Sequence, residues 1–299
     1  MVVSMHTVSV IIPAYNSAKI VRDAIDSALA QTHQPVEILV IDDGSRDNTA
    51  EVVAAYPPPV RLLRKANGGP ASARNLGARV AQGKWLAMLD ADDTWAPKKL
   101  ERQLACVTED NIAIVHGPAN HLLQVPAEIS FEQLWAQNWI VNSSCMIRRD
   151  VFEALGGFDE ERQLICVEDY NLWLRIAAAG HRIVTCCDSE AMTNYTKGIG
   201  ISSNIPRMFH ASMFNICKVA KDINVTPSIL YRKKLELYEF FGKAALYERE
   251  LKMARGLLRQ AFLMRPSLHR LIYLLASYVP SSLLNKRRDL MAGARDETH

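Results

Sequence analysis

Short β-branched runs alternate with stretches of helical period over the first two thirds of the chain. Residues 8–13 (VSVIIP) are almost wholly apolar and closed by proline, the pattern of a strand buried on both faces. Ile20, Val21, Ala24, Ile25, Ala28 and Leu29 then recur at helical spacing, with Asn16 or Ser17 placed to cap. A second buried run covers 36–41. The turn DDGSRDNT, a short helix through Val53 and a strand over 60–63 follow. Gly68, Gly69 and Pro70 open a helix with Ala73, Leu76, Gly77 and Val80 on one face, and LAML at 86–89 is the next buried strand. This β-α-β-α-β order predicts a parallel, nucleotide-binding type of sheet flanked by helices.

A helix through Leu100, Leu104 and Val107 and a strand over 112–115 continue the pattern. Periodicity then weakens from Gly117 to Asn142, as in a binding-loop region. A strand over 143–147 returns, Asp150 is placed to cap VFEAL, and Gly156-Gly157 stops that helix. EDYNLWLRIAAAG is helical from Glu168 to Gly180, and HRIVTCC reads as an edge strand. From Pro206 onward only helical period remains. The run LIYLLASYVPSSLL spans 14 residues and contains Pro280, too short to cross a bilayer.

Composition adds three constraints. At 299 residues and 49% hydrophobic, the chain can bury a sizeable core, which excludes a disordered protein. Residues 1–7 carry no charged leader ahead of an apolar core, so the run that follows is read as a strand rather than a signal peptide. The six cysteines form no CxxC pair and no zinc spacing with histidine, the usage of reduced thiols in a cytoplasmic protein. The net charge of +3 is unevenly spread: residues 205–299 hold 17 Lys and Arg against 8 Asp and Glu, the remainder 18 against 24. A basic tail attracts anionic surfaces. No nucleic-acid-binding motif accompanies it, so a lipid surface leads, with packing on the first domain or a homodimer as the alternatives for its apolar faces.

The strand at 86–89 runs directly into Asp90, Asp92 and Asp93. In open α/β sheets ligands sit at the carboxyl ends of strands, and carboxylates this close raise one another's pKa unless a cation lies between them. Mg²⁺ or Mn²⁺ suits such hard oxygen donors.

Four motifs in this order and separation, VSVIIPAYN, IDDGSRDNT, GGPASARNLGARVAQGKWLAMLDADD and EDYNLWLR, closely resemble the family 2 glycosyltransferases over residues 8–201. The resemblance implies an inverting enzyme of bacterial surface-polysaccharide type. Its fold is GT-A, a Rossmann-like, mostly parallel α/β sheet flanked by helices. Here residues 1–204 would be catalytic, with a nucleotide-binding half about 1–93 and an acceptor half about 94–204, and 205–299 would be an all-helical extension. The implied donor is a UDP- or dTDP-linked hexose or N-acetylhexosamine, and the acceptor a saccharide or lipid-linked saccharide. The implied location is cytoplasmic, peripheral at the inner face of the cytoplasmic membrane.

Residue by residue, the resemblance assigns Asp43, beside Asp42, to the nucleobase, with Pro13, Ala14 and Tyr15 packed around base and ribose. Arg74 is assigned to the nucleotide, where a cation suits a negatively charged donor. Asp90 and Ala91 lie in the family's DxD motif; Asp92 is the direct metal ligand, and Asp90 touches ribose or reaches the metal through water. Asp93 is read instead as a cap for the next helix. Asp169 is the single general base that inversion requires, with Glu168 a structural or acceptor-side neighbour. An acidic pair in a first helical turn also serves the helix dipole alone, the alternative for both. Lys197 is placed to touch a phosphate oxygen, with Gly198 and Gly200 after it giving hinge freedom. Trp135 and Trp139 are the candidates to stack on an acceptor sugar, with burial the alternative for both, and Trp173 reads as core. A sugar nucleotidyltransferase shares such a sheet but wants a Gly- and Lys-rich first loop that IIPAYNSAK does not supply. A non-catalytic nucleotide-sugar-binding scaffold is the alternative from a different class.

Overall fold

A computed structural model of the chain describes residues 6–120, 125–195 and 204–280. The chain divides into two compact units, 1–198 and 199–299. The first is built in the order β1 (Val8–Ala14), α1 (Val21–Leu29), β2 (Glu37–Asp42), α2 (Thr49–Ala54), β3 (Val60–Arg64), α3 (Pro70–Val80) and β4 (Trp85–Met88). The short β5 (Thr94–Trp95), α4 (Lys99–Ala105), β6 (Ile112–His116), α5 (Phe131–Ala136) and β7 (Cys145–Arg148) follow. The unit ends with α6 (Arg149–Ala154), α7 (Glu168–Ala178), β8 (Arg182–Thr185) and β9 (Thr193–Asn194).

Seven strands form one sheet in the order β3-β2-β1-β4-β7-β6-β8, all parallel except β7, which runs against both its neighbours. This is the mostly parallel, helix-flanked sheet that the alternating pattern implies. The chain steps outward from β1 to β2 and β3, then returns to lay β4 on the other side of β1. That reversal opens a crevice at the carboxyl ends of β1 and β4, where an α/β sheet takes its ligand. Strand β1 is buried on both faces, with Val8, Val10, Ile11 and Ile12 fully covered. Helix α3 rides unusually close to it. A Cβ at Gly77 would lie 2.8 Å from the side chains of both Ile11 and Ile41, so glycine there lets α3 sit down on the sheet.

Several local expectations are corrected. Neither Asn16 nor Ser17 caps α1: its N-cap is Ile20, with no side-chain bond, because the Ser17 hydroxyl bonds within its own turn to the Tyr15 backbone and Asn16 Oδ1 accepts from Arg46 N at 2.8 Å. Asp150 lies inside α6 rather than at its cap, held to Arg148 at 2.7 Å. The second strand begins at Glu37, Val36 being half exposed. The 117–142 stretch is not wholly irregular: it contains α5, closed by a reciprocal capping box between Ser130 and Gln133. The β5–β9 ribbon joins Thr94–Trp95 to Thr193–Asn194, and two-residue strands carry no readable period.

The second unit is helical, with α8 (Ile205–Asp222), α9 (Pro227–Tyr247), α10 (Leu251–Met264) and α11 (Leu268–Ala276). Ala245, Leu246, Ala254 and Leu258 form one core cluster and Phe209, Phe241 and Leu257 another. Among the described residues no helix is long and apolar enough to cross a membrane.

Candidate active site

At the end of β4 the Leu89 amide still donates to Ile11 O at 3.1 Å, and the chain then turns into the acidic loop. The turn at 142–144 meets this loop from below. The Asp90 amide donates to Ser143 Oγ at 3.0 Å, and Asp90 Oδ1 accepts from Asn142 Nδ2 at 3.1 Å and from Arg74 Nη2 at 2.7 Å. Ala91 is buried. Asp92 is exposed and its carboxylate forms no ion pair among the described residues; partial burial, then the neighbouring Asp90 charge, raises its pKa. Asp93 is corrected from helix cap to buried strut: it is covered and accepts the Ser143 hydroxyl at 2.5 Å, while the N-cap of α4 is Lys98, with no side-chain cap bond. Three adjacent carboxylates therefore do three different things.

Arg74 links this loop to α7. Its Nη1 donates to Glu168 Oε1 at 2.8 Å, so one buried guanidinium joins Asp90 to a residue 94 positions beyond Arg74 itself. Burial alone would lower its pKa, but Asp90 and Glu168 more than offset this and hold the charge in place. Glu168 Oε2 accepts from the Cys166 amide at 2.9 Å. Asp169 follows, half-buried, with Oδ1 accepting from Tyr170 N at 2.6 Å. Burial, and then the Glu168 charge, pushes its carboxyl up to about 7, with Arg74 opposing. A carboxyl poised there can take a proton at neutral pH. Arg74 is thus in the site, but with both ends of its fork spent on carboxylates rather than free for a phosphate.

The nucleotide side is equally tied together. Asp42 is fully buried, with Oδ1 accepting from Ser45 N at 2.8 Å and Oδ2 from Arg64 Nε at 3.1 Å. The Asp43 carboxylate accepts from Lys65 Nζ at 2.7 Å and from the amides of Gly68 and Gly69 at 3.0 and 2.8 Å, just ahead of α3. Its own amide donates to Ala14 O at 2.8 Å, fastening this cluster to β1. Pro13 and buried Ala14 end that strand, and Tyr15 stands 47% exposed at the mouth of the crevice.

Lys65 and Asn142 escaped the motif reading, and Ser143 entered it only as the first residue of a strand. Lys65 carried only its position two residues before Asn67-Gly68 as a signal, and Asn142 none. Trp135 is corrected from stacking candidate to buried residue, 5.8 Å from the Phe131 ring, while Trp139 is half-buried and donates to Gln133 O at 3.2 Å. Trp173 is fully buried. Lys197 lies outside the described residues.

No group of three or more His, Cys, Asp or Glu able to hold a metal occurs among the described residues. The arrangement still fits Mg²⁺ or Mn²⁺. Such ions take one or two protein carboxylates and fill the rest of their shell with phosphate oxygens and water, and unpaired Asp92 beside Asp90 supplies that many.

The sheet order and the helices that flank it define a GT-A fold. Solved structures share it: a Pyrobaculum calidifontis mannosyltransferase in complex with GDP-Man and Mn²⁺ aligns with a TM-score of 0.65 at 22% identity, over 95% of this chain and 80% of that one. S. aureus TarS 1–349 in complex with UDP aligns at 0.60 and 19% identity, over 91% and 89%. Residues 9–150 match the profile of glycosyl transferase family 2. An uncharacterized glycosyltransferase of Rickettsia prowazekii is 34% identical over 186 residues, 56% of this chain and 58% of the relative. The succinoglycan biosynthesis protein ExoO of Rhizobium meliloti is 44% identical over 117 residues, 36% of this chain and 34% of its own. The chain thus spans under two thirds of the length of these curated relatives.

Proposed function

We propose that this chain transfers a hexosyl or N-acetylhexosaminyl group, with inversion, from a UDP- or dTDP-sugar to a hydroxyl of a saccharide or lipid-linked saccharide. The observation that carries the reading is Asp169, a carboxyl pushed up to about 7 by burial and by its neighbour Glu168, which Arg74 ties to Asp90 of the acidic loop. Asp169 takes the acceptor proton as the hydroxyl attacks the anomeric carbon from the side opposite the diphosphate, and the sugar–phosphate bond breaks in the same displacement. Arg74 holds Glu168 and Asp90 in place. Asp43, with Pro13, Ala14 and Tyr15, receives the base. A Mg²⁺ or Mn²⁺ ion held by Asp92, with Asp90 behind it, would neutralise charge on the leaving diphosphate. The names of the neighbours support the donor class, since one is a complex with GDP-Man and another with UDP.

A panel of nucleotide sugars with Mn²⁺, with Mg²⁺ and with chelator tests this. Metal-dependent binding and slow hydrolysis of one uridine or thymidine sugar is the expected result. A guanosine preference would replace the donor assignment. No binding of any member would leave the scaffold reading.

The acceptor side of the proposal is a membrane surface. Leu268, Ile272 and Leu275, one stripe at i, i+4 and i+7 on α11, are 74%, 55% and 58% exposed. Residues 251–280 hold Lys252, Arg255, Arg259, Arg265 and Arg270 and not one Asp or Glu, which matches an anionic bilayer. The full chain should sediment with phosphatidylglycerol vesicles and not with phosphatidylcholine ones, and Ile272→Glu with Leu275→Glu should release it. If those changes instead split a dimer and vesicles never bind, the stripe covers a second copy and the membrane assignment falls.

A further inference from the structure

Lys99, on the inner face of α4, is fully buried, and its ammonium has no hydrogen-bond partner and no paired carboxylate among the described residues. What it does contact is Trp95: Nζ sits 3.8 Å from the centre of that ring. An ammonium over an indole face is held there electrostatically, and in turn it holds the ring. The Trp95 Nε1–H donates to Ser143 O at 2.7 Å. The Ser143 hydroxyl donates to Asp93 and accepts the Asp90 amide at 3.0 Å. One turn further along α4, buried Gln103 donates to Ser144 O at 2.7 Å. Trp95 of β5, under the Lys99 ammonium, and Gln103 of α4 therefore grip the 142–144 turn at two adjacent carbonyls, and that turn holds the amide and one carboxylate oxygen of Asp90.

We propose that Lys99 is a positioning residue for the Asp90–Asp92 loop, acting through the Trp95 ring and Ser143. This rests on the glycosyltransferase reading only for what the loop then binds. The side chain touches no ligand itself. A methionine in its place fills similar volume and removes a buried charge, which by itself favours the folded state, but it leaves the Trp95 ring without the cation that orients it. A stabilised protein with a loosened acidic loop is a combination that a packing role does not produce.

The test uses the full, metal-free chain at pH 6, where the Lys99 ammonium is charged, burial having pushed it down to about 7. Hydrogen exchange at the Asp90 amide should quicken roughly three- to tenfold in Lys99→Met, the range of one net hydrogen bond, with an unchanged or higher Tm. Trp95→Phe, which keeps a ring but loses the N–H, should quicken the same amide, and the double variant should add little more. Mn²⁺ binding in the presence of UDP, by calorimetry, should weaken by a similar factor. Unchanged Asp90 exchange in both single variants would overturn the proposal, as would faster exchange spread evenly over β4 with a lower Tm. Should Lys99→Met fail to fold, Trp95→Phe decides alone. If neither Mn²⁺ nor UDP binds the unaltered protein, the functional reading fails while the exchange data still judge Lys99.

Discussion

Asp169→Asn lowers the rate of sugar transfer by at least about a hundredfold, the usual contribution of a positioned general base, and leaves donor affinity essentially unchanged. The amide is nearly isosteric with the carboxyl and keeps the Tyr170 contact, so the fold and the nucleotide side are spared. Only the unprotonated carboxyl can accept the acceptor's proton, and this one is pushed up to about 7. Transfer by the parent protein should therefore fall as pH drops below about 7, and residual transfer by the variant should lack that limb. The apparent value belongs to the cluster of Asp169, Glu168, Arg74 and Asp90, not to one carboxyl. Stability gives an independent readout with a definite sign. A carboxyl whose folded pKa lies above its ordinary 3.8 binds its proton more tightly when folded, so stability is lost as pH rises from about 4 through about 7. Asp169→Asn should remove that part of the slope and make the protein more stable than its parent at pH 8. Donor binding, transfer and urea unfolding, each across pH, check all three statements. Full transfer by the variant would take Asp169 out of the mechanism.

Arg74→Met produces the larger loss of stability. Its guanidinium and the Glu168 carboxylate are 6% and 7% exposed, so removing the cation strands a buried negative charge. Breaking such a pair destabilises by about 3 kcal/mol or more. Asp90 is 28% exposed and loses less, because water reaches it. The acid limb of transfer should also move to higher pH, since Arg74, after the Tyr170 amide, is what keeps the Asp169 carboxyl from rising further. Arg74→Lys should recover only part of either effect, as a single ammonium cannot span two carboxylates as the planar fork does. Chemical unfolding and the pH–rate profile measure this, and a Met variant of parental stability with an unmoved acid limb would refute the bridge. Transfer falls as well, because Asp90 and Glu168 lose their common anchor.

The architecture was legible wherever burial was complete on both faces of a strand. β1, β2 and β4 announce themselves as apolar runs, and the acids after β4 follow at a strand's carboxyl end. α3 was legible too, from Gly-Gly-Pro at its start and small residues along one face. Caps were not. Asn16, Ser17 and Asp150 are residue types that favour helix starts, but each finds a nearer backbone or side-chain partner, and local competition of this kind depends on geometry rather than composition.

What the chain's order of residues determined by itself is the periodic part: which segments are buried, whether each is strand or helix, and so that acidic groups gather at one end of a parallel sheet. What only the tertiary structure decided is how those groups differ. Asp92 is left open and Asp93 is sealed, though they are adjacent, because Ser143 arrives from fifty positions away to hold one and not the other. Arg74 becomes a bridge because α3, packed on β1 and β2, brings its guanidinium within reach of both the loop after β4 and the start of α7, and Asp169 differs from any other helix-start carboxylate through burial beside Glu168. Periodicity is a property of neighbouring residues along the chain and can be read there. Desolvation and pairing are properties of neighbours in space, and those exist only once the sheet has closed.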